Sequence, residues 1–183
     1  MLSRLFAGGM VLVTLLFSPG ASADPGYYPW SNFVSMFTAA PRTVVSYPTD
    51  HAPGTIIVST RERRLYLILN KGQALRYGIG VGREGFTWSG TSTITAKREW
   101  PDWTPPEQML RRKPELPRHM SGGPANPLGA RALYLGDTMY RIHGSNEPHT
   151  IGTAATSGCI RLANDDVIDL YNRVRIGATV IVR

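Results

Sequence analysis

The sequence predicts a mainly β protein with a few helices. Short runs rich in β-branched residues recur along the chain, tight turns separate them, and one longer run has helical apolar spacing. Residues 55–60 read TIIVST and residues 64–69 read RLYLIL, and a turn rich in Asn and Gly leads from the second run into residues 74–81. Short strands joined by close turns are typical of antiparallel β structure.

The later part of the chain continues this pattern. Residues 99–129 are rich in proline and contain two tryptophans, which favours a long, ordered functional loop with a helical turn at 106–112. Further strands are predicted at 91–97, 132–135, 139–143 and 177–182.

Residues 164–174 are predicted to form a helix. Its apolar residues have the spacing of one helical face: Val167, Leu170, Tyr171 and Val174. Asn164 is the expected N-cap, and Asp165 and Asp166 would complement the helix dipole in the first turn.

The first residues predict export from the cytoplasm. Residues 1–23 have one basic residue, an apolar middle and a closing Ala-Ser-Ala, which is typical of a signal peptide cut after Ala23. An uncleaved anchor is the alternative; after cleavage no transmembrane anchor is expected. Residues 24–53 are interpreted as an extended lead-in or linker, with a short helix proposed at 31–38, and residues 54–183 as the folded domain.

The net charge of +7 suits an anionic partner such as nucleic acid, membrane or an envelope polymer. The export signal argues against nucleic acid. The densest basic group, at 111–113, is interpreted as a solvated loop.

Cys159 is the only cysteine in the sequence. It cannot form a disulfide within its own chain, so it is buried and inert, paired to another chain, or a reactive thiol. A reactive thiol needs a base, because the thiolate is the nucleophile. Of the four histidines, His143 is the best candidate because it ends a predicted strand, and residues 144–158 are long enough to return Cys159 to its side. His149 lies inside that connection and is less firmly placed.

The neighbours of Cys159 are compatible with acyl transfer. The amides of Gly158 and Cys159 are candidates for an oxyanion hole. Arg161 offers a fork for a carboxylate or carbonyl, or instead pairs with Asp165 or Asp166. Cys159, His143 and His149 could supply metal ligands, but they lack the tight spacing of a metal motif, so neither a metal nor a cofactor is predicted.

Three stretches carry a resemblance to a known family. They read IHGSNEP from Ile142, TSGCIRL from Thr156, and DVIDLY in the predicted helix. Together with GIGVG at 78–82 and WSGT from Trp88, they resemble the L,D-transpeptidase catalytic domain of the YkuD family. The likeness runs from about residue 54 to residue 183.

The resemblance implies a β-sandwich-like fold and a bacterial cell-wall enzyme of the periplasm. Such enzymes attack the third residue of a peptidoglycan tetrapeptide stem and release the terminal D-Ala, leaving a thioester. Cys159 would be the nucleophile and His143 the general acid/base, with the Gly158 and Cys159 amides as oxyanion hole. The acyl acceptor is left open: another stem gives a 3→3 cross-link, an envelope protein becomes anchored, and water trims the stem.

The sequence departs from the family at one position. Many members carry a second histidine immediately before Gly-Cys, where this chain has Ser157. His143 would then act alone, oriented by a backbone carbonyl such as that of Gly144. Arg161 matches an arginine of the family motif.

A groove for the stem peptide is predicted around the thiol. Its candidate residues are Arg161, Asn146, Gly144, Ser157, Trp88, Trp100 and Trp103. The alternative for the tryptophans is a place in the hydrophobic core. Two rival functions stay open at this point: an inert peptidoglycan-binding module, and a sortase-like or papain-like cysteine enzyme acting on proteins.

Overall fold

A computed structural model describes residues 41–183. The predicted signal peptide and the helix proposed at 31–38 lie outside the described residues. The described part is mainly β, with two α-helices, and its elements in chain order are β1 Thr43–Ser46, β2 Ile56–Ser59, β3 Arg64–Asn70, β4 Gln73–Gly78, β5 Val81–Gly82, β6 Gly90–Glu99, α1 Glu107–Arg112, β7 Arg131–Leu135, β8 Arg141–His143, a 3-10 turn at Pro148–Thr150, β9 Ala154–Thr156, β10 Ile160–Arg161, α2 Asn164–Arg173 and β11 Thr179–Val182. Within residues 41–183, no helix is long and apolar enough to cross a membrane.

Nine of the described strands form one sheet in the order β1-β4-β3-β2-β11-β6-β7-β8-β10, and β5 pairs with β9 separately. The long strand β6 joins the two ends of the sheet, because its first part pairs with β11 and its second part with β7. The register shifts between Ile94 and Ala96 at this change of partner. A bulge of this kind bends a strand and increases its twist.

A single hydrophobic core unites both ends of the sheet with helix α2. Ile56 and Leu65 come from one end, Leu133 and Ile142 from the other, and all four are completely or almost completely buried. Leu170 of α2 belongs to the same cluster. This shared core agrees with the sandwich-like fold that the sequence predicts.

Three pairs of strands are parallel, which the antiparallel prediction missed. They are β2 with β11, β8 with β10, and β5 with β9. Parallel pairs need a crossover connection and leave no turn signal in the sequence. The predicted strand 74–81 is also divided, since β4 ends at Gly78 and β5 starts at Val81. Part of the predicted lead-in belongs to the sheet, because Thr43–Ser46 pairs with β4.

Helix α2 forms where the apolar spacing predicts it, but its cap differs from the prediction. Ala163 occupies the N-cap position and Asn164 is the first helical residue. The Asn164 side chain instead bonds to backbone groups of two other segments. At the other end, Lys97 donates from Nζ to the carbonyls of Tyr171 and Val174. A cation at this position satisfies free carbonyls and complements the helix dipole.

The loop at 99–129 is ordered around one buried amide. Asn126 is 1% exposed. Its Nδ2 donates to the carbonyls of Pro101, Met120 and Ser121. One side chain thus holds both ends of the loop together, and the predicted helical turn is present as α1.

Candidate active site

The candidate catalytic residues lie at the strand pair β8–β10. The strands run parallel, with Ile160 opposite Ile142 and Arg161 opposite His143. Ile142 and Ile160 are buried in the core. Because side chains alternate between faces, Arg141, His143 and Arg161 project to the opposite side. Cys159 comes immediately before β10, and the charges of Arg141 and Arg161 act on both Cys159 and His143.

His143 is held as a neutral base by its surroundings. Its side chain is buried, and Nδ1 lies 2.6 Å from the carbonyl oxygen of Gly144. Because a carbonyl only accepts, Nδ1 carries the proton and donates it, and Nε2 keeps its lone pair. The carbonyl of Gly144 is the orienting group that the sequence analysis suggested.

Burial lowers the pKa of His143 to about 3, and the positive charges of Arg161 and Arg141 act in the same direction. Burial also raises the pKa of the Cys159 thiol, although hydrogen bonding and charge from Arg141 oppose this. Sγ lies 3.8 Å from the carbonyl oxygen of Met139, which accepts from the thiol. The resting pair is therefore a neutral thiol and a neutral imidazole.

This electrostatic state predicts the pH dependence of thiol alkylation. Between pH 5 and 8, His143 should stay uncharged because its pKa is far below this range, and Cys159 should form little thiolate because its pKa is raised. The rate of iodoacetamide alkylation, followed by intact mass, should rise about tenfold per pH unit through neutrality, since the thiolate is the nucleophile. A plateau below pH 7 would instead indicate a thiolate–imidazolium pair and contradict this state.

A compact turn presents the thiol between β9 and β10. Thr156 Oγ1 donates to the carbonyl of Cys159 at 2.6 Å and accepts from the amide of Gly158 at 3.2 Å. Of the two predicted oxyanion donors, the Gly158 amide is therefore already engaged. The amide of Cys159 has no partner within residues 41–183.

Trp88 and Tyr140 hold this turn from the side. Trp88 Nε1 donates to the carbonyl of Gly158 at 2.9 Å, and its ring stacks on Tyr140 with centroids 4.5 Å apart. Gly158 has φ +113°, and a Cβ there would lie 2.6 Å from Tyr140 Cε1. Only glycine meets both conditions without strain. Trp88 thus contacts the catalytic turn and also packs against the main core.

Arg161 lies under the site in an ion pair. Its Nη1 donates to Glu147 Oε2 at 2.9 Å and to Thr150 Oγ1 at 2.8 Å. The side chain is 13% exposed. The predicted alternative, an ion pair of Arg161 with Asp165 or Asp166, was wrong. The acidic partner is Glu147, which lies in the β8–β9 connection and not on α2. Arg161 thus ties this connection to β10 and places a positive charge near His143.

The segment after His143 is pinned by Asn164. Asn164 Oδ1 accepts from the amides of Ala130 and Ser145, and its Nδ2 donates to the carbonyl of Ser145. Gly144 lies so close to Asn164 that any Cβ would collide with the amide oxygen. Gly144 is itself buried, and its carbonyl contacts His143.

The remaining groove candidates lie around the long loop. Asn146 is exposed, and its Nδ2 donates to the carbonyl of Ala125. Ser157 is half-buried in the catalytic turn, and Trp100 and Trp103 are half-buried in the loop 99–129. Their roles in binding substrate stay predictions. His149 is exposed in the 3-10 turn, and no group of three or more metal-binding side chains occurs in the described part of the chain.

Three contributors to the site were missed by sequence reasoning. Arg141 lies two residues before His143, and strand alternation could have placed it on the same face. Thr156 lies three residues before Cys159, where threonine commonly bonds to nearby backbone groups. Tyr140 gave no signal, because only the folded turn brings it against Gly158.

Comparisons with known proteins agree with this geometry. The model of the YkuD family, described as the L,D-transpeptidase catalytic domain, matches residues 53–182. The probable L,D-transpeptidase ErfK/SrfK of Escherichia coli K12 is 36% identical over 134 residues, covering 68% of this chain and 42% of that protein. The chain spans about half the length of the curated relatives it matches.

Solved structures show the same fold. One from Brucella melitensis, titled a probable carnitine operon oxidoreductase, is 44% identical with a TM-score of 0.55, covering 81% of this chain and 96% of its own. An L,D-transpeptidase from Mycobacterium smegmatis is 18% identical with a TM-score of 0.58, covering 77% of this chain and 67% of its own. The family match covers all the candidate site residues described above, and the resemblance found in the sequence is confirmed. The chain belongs to the YkuD family of L,D-transpeptidase catalytic domains.

Proposed function

We propose that the chain is a cysteine L,D-transpeptidase that acts on peptidoglycan tetrapeptide stems through a Cys159 thioester. The proposal rests on one observation: the only thiol of the chain directly precedes β10, which pairs with the strand that His143 ends, and the Nδ1–H of His143 is held by the Gly144 carbonyl. That arrangement leaves Nε2 as the base. Membership of the YkuD family supplies the substrate class.

In the first half-reaction, Cys159 Sγ attacks the carbonyl carbon of the third stem residue while His143 Nε2 takes the thiol proton. The Cys159 amide donates to the developing oxyanion, and the Gly158 amide joins only by releasing Thr156 Oγ1. When the tetrahedral intermediate collapses, the C–N bond breaks and the imidazolium protonates the leaving amine of D-Ala. The products are a thioester and free D-Ala.

In the second half-reaction, an acceptor replaces sulfur at the same carbonyl. The acceptor gives a proton to His143 as it attacks, and the imidazolium returns that proton to the departing thiolate of Cys159. An amine on another stem would give a 3→3 cross-link, a lysine of an envelope protein would give an anchored protein, and water would give a trimmed stem. The same thioester serves all three acceptors.

The proposed location is the periplasm, reached through the predicted signal peptide. Peptidoglycan stems lie there, and their anionic groups suit a chain that stays positively charged after the signal peptide, with its single Arg4, is removed. Stem peptides are the proposed partners, with an envelope protein as an alternative acceptor. No nucleic-acid partner is proposed.

The reaction is tested with purified chain, disaccharide-tetrapeptide muropeptides and mass spectrometry. A dimer lacking one D-Ala, absent with Cys159→Ser, would establish the transfer and identify the acceptor. Release of D-Ala without a dimer would indicate hydrolysis or a missing protein acceptor. No change in the muropeptides, with either protein, would favour an inert peptidoglycan-binding module.

The Trp88→Phe variant tests how the catalytic turn is held. Phenylalanine keeps an aromatic ring against Tyr140 but removes the hydrogen bond to the Gly158 carbonyl. We expect D-Ala release to slow by about tenfold, because a small displacement of the nucleophile is costly. Tyr66→Phe is the control, since it loses a hydrogen bond to Glu62 in a different part of the fold and should keep the wild-type rate. Equal rates for the two variants would show that the hydrogen bond from Trp88 does not contribute to activity.

A further inference from the structure

The segment after β5 is attached directly to the catalytic turn. The amide of Arg83 donates to the carbonyl of Thr156 at 3.0 Å. The Phe86 carbonyl lies 3.2 Å from the point where a Cβ of Gly158 would stand. Arg83 and Phe86 are therefore fixed relative to Cys159 by the backbone of the turn itself.

Two guanidinium groups meet at the ring of Phe86. The Cζ atom of Arg83 lies 4.4 Å from the ring centroid, and that of Arg112 lies 5.0 Å from it. Arg112 comes from α1 in the long loop, and its Nη2 also lies 3.5 Å from Ser157 Oγ. Residues from two separate loops thus place two positive charges beside the residue pair that precedes Cys159.

Neither guanidinium has an acidic partner within residues 41–183. Glu84 follows Arg83 in sequence but forms no ion pair with it, whereas the neighbouring Arg111 pairs with Glu107 at 3.1 Å. Both Arg83 and Arg112 are exposed, so an anion can reach them from solvent. Both Cζ atoms lie within 5.0 Å of the same ring centroid, so the two positive charges belong to one region of the surface, where each gains from contact with the ring.

We propose that Arg83 and Arg112 together bind a carboxylate of the donor stem peptide; this rests on the transpeptidase function proposed above. Guanidinium groups bind carboxylates through two parallel hydrogen bonds, and two positive charges in one region favour an anion there. Arg112 contacts Ser157, which lies two residues before Cys159, so a stem bound to Cys159 can bring a carboxylate to this region. Phe86 contacts both guanidinium groups.

The two arginines would bind substrate away from the reacting atoms. Arg83 is fixed to the catalytic turn, whereas Arg112 belongs to the loop 99–129. A substrate carboxylate would therefore bridge the loop and the turn. We expect the pair to act mainly on KM, with kcat for the bound stem nearly unchanged.

The test compares D-Ala or D-alaninamide release for three donor stems: one with free carboxylates, one with an amidated C-terminus, and one with an amidated internal carboxylate. The variant is Arg83→Gln/Arg112→Gln. The matched control, Arg111→Gln/Arg118→Gln, removes two exposed charges from the long loop without touching Phe86. The variant should raise KM for the free stem about tenfold or more, and the control should leave it unchanged.

The amidated stems identify the carboxylate. With the wild-type chain, amidation at one of the two positions should lower kcat/KM about as much as the double substitution lowers it with the free stem. With the double variant, amidation at that same position should lower kcat/KM no further, because the two changes remove one interaction. The proposed carboxylate site is wrong if the variant still discriminates between acid and amide stems as the wild type does. It is also wrong if the control variant shows the same increase in KM. If wild-type chain releases no amine from any stem, the transpeptidase function itself is overturned.

Discussion

Replacing Cys159 with serine should abolish acyl transfer and leave the fold intact. A hydroxyl ionises far less readily than a thiol, and His143 is a weak base whose pKa is lowered to about 3. The variant therefore has neither a good nucleophile nor a strong base. We expect a loss on the order of 10³-fold or more in kcat, as for other essential nucleophiles.

The fold should tolerate the change because Cys159 contributes little to packing. Serine is close to cysteine in size, and its hydroxyl can replace the thiol in the long contact of 3.8 Å with the Met139 carbonyl and in the hydrogen bonding with Arg141. Thermal unfolding of Cys159→Ser should therefore match the wild type within a few degrees. Release of D-Ala from tetrapeptide stems measures the activity. Near-normal turnover by the folded variant would show that another residue is the nucleophile.

Replacing His143 with glutamine should cause the second largest loss. Removal of a general acid/base costs about 10²- to 10⁴-fold, and no other histidine shares the catalytic strand face. Glutamine is close to histidine in size and keeps a donor for the Gly144 carbonyl, so the turn should survive. His149→Gln is the matched control, since His149 is exposed and should be dispensable. Equal activity of the two variants would contradict the assignment of the base.

The same variant has a stability signature that reports the buried neutral state of His143. The pKa of His143 falls from an ordinary 6.5 to about 3 on folding, so the folded state resists protonation. The contribution of neutral His143 to the free energy of unfolding is complete above about pH 6.5. It decreases by up to about 1.4 kcal/mol per pH unit as the pH falls toward 3. The difference in unfolding free energy between wild type and His143→Gln should therefore shrink or reverse over this window. A pH-independent difference would contradict the buried neutral imidazole.

The candidate pair His143 and Cys159 was selected from local signals. His143 ends a run of strand-forming residues, Cys159 is the single thiol, and residues 144–158 are long enough to return Cys159 to the side of His143. The helix at 164–174 followed from apolar periodicity in the same way. Each of these features can be inferred within a short window of the chain.

What the sequence did not predict depends on partners far along the chain. Strands β9 and β10 contain three and two residues, too few for a periodic signal. Asn164 stands in the sequence where an N-cap is expected, yet its side-chain oxygen accepts hydrogen bonds from the backbone amides of Ala130 and Ser145. The pairing of Arg161 with Glu147 depends on how the β8–β9 connection folds back, which no neighbouring residue indicates.

The thioester is tested by the intact mass of the chain after incubation with a tetrapeptide stem in the absence of an acceptor. A Cys159 thioester predicts a mass increase equal to the stem acyl group without its terminal D-Ala, located on Cys159 by peptide mapping and absent from Cys159→Ser. Hydroxylamine should remove the adduct, as expected for a thioester. D-Ala release that persists in Cys159→Ser, or an adduct on any other residue, would contradict the thioester mechanism.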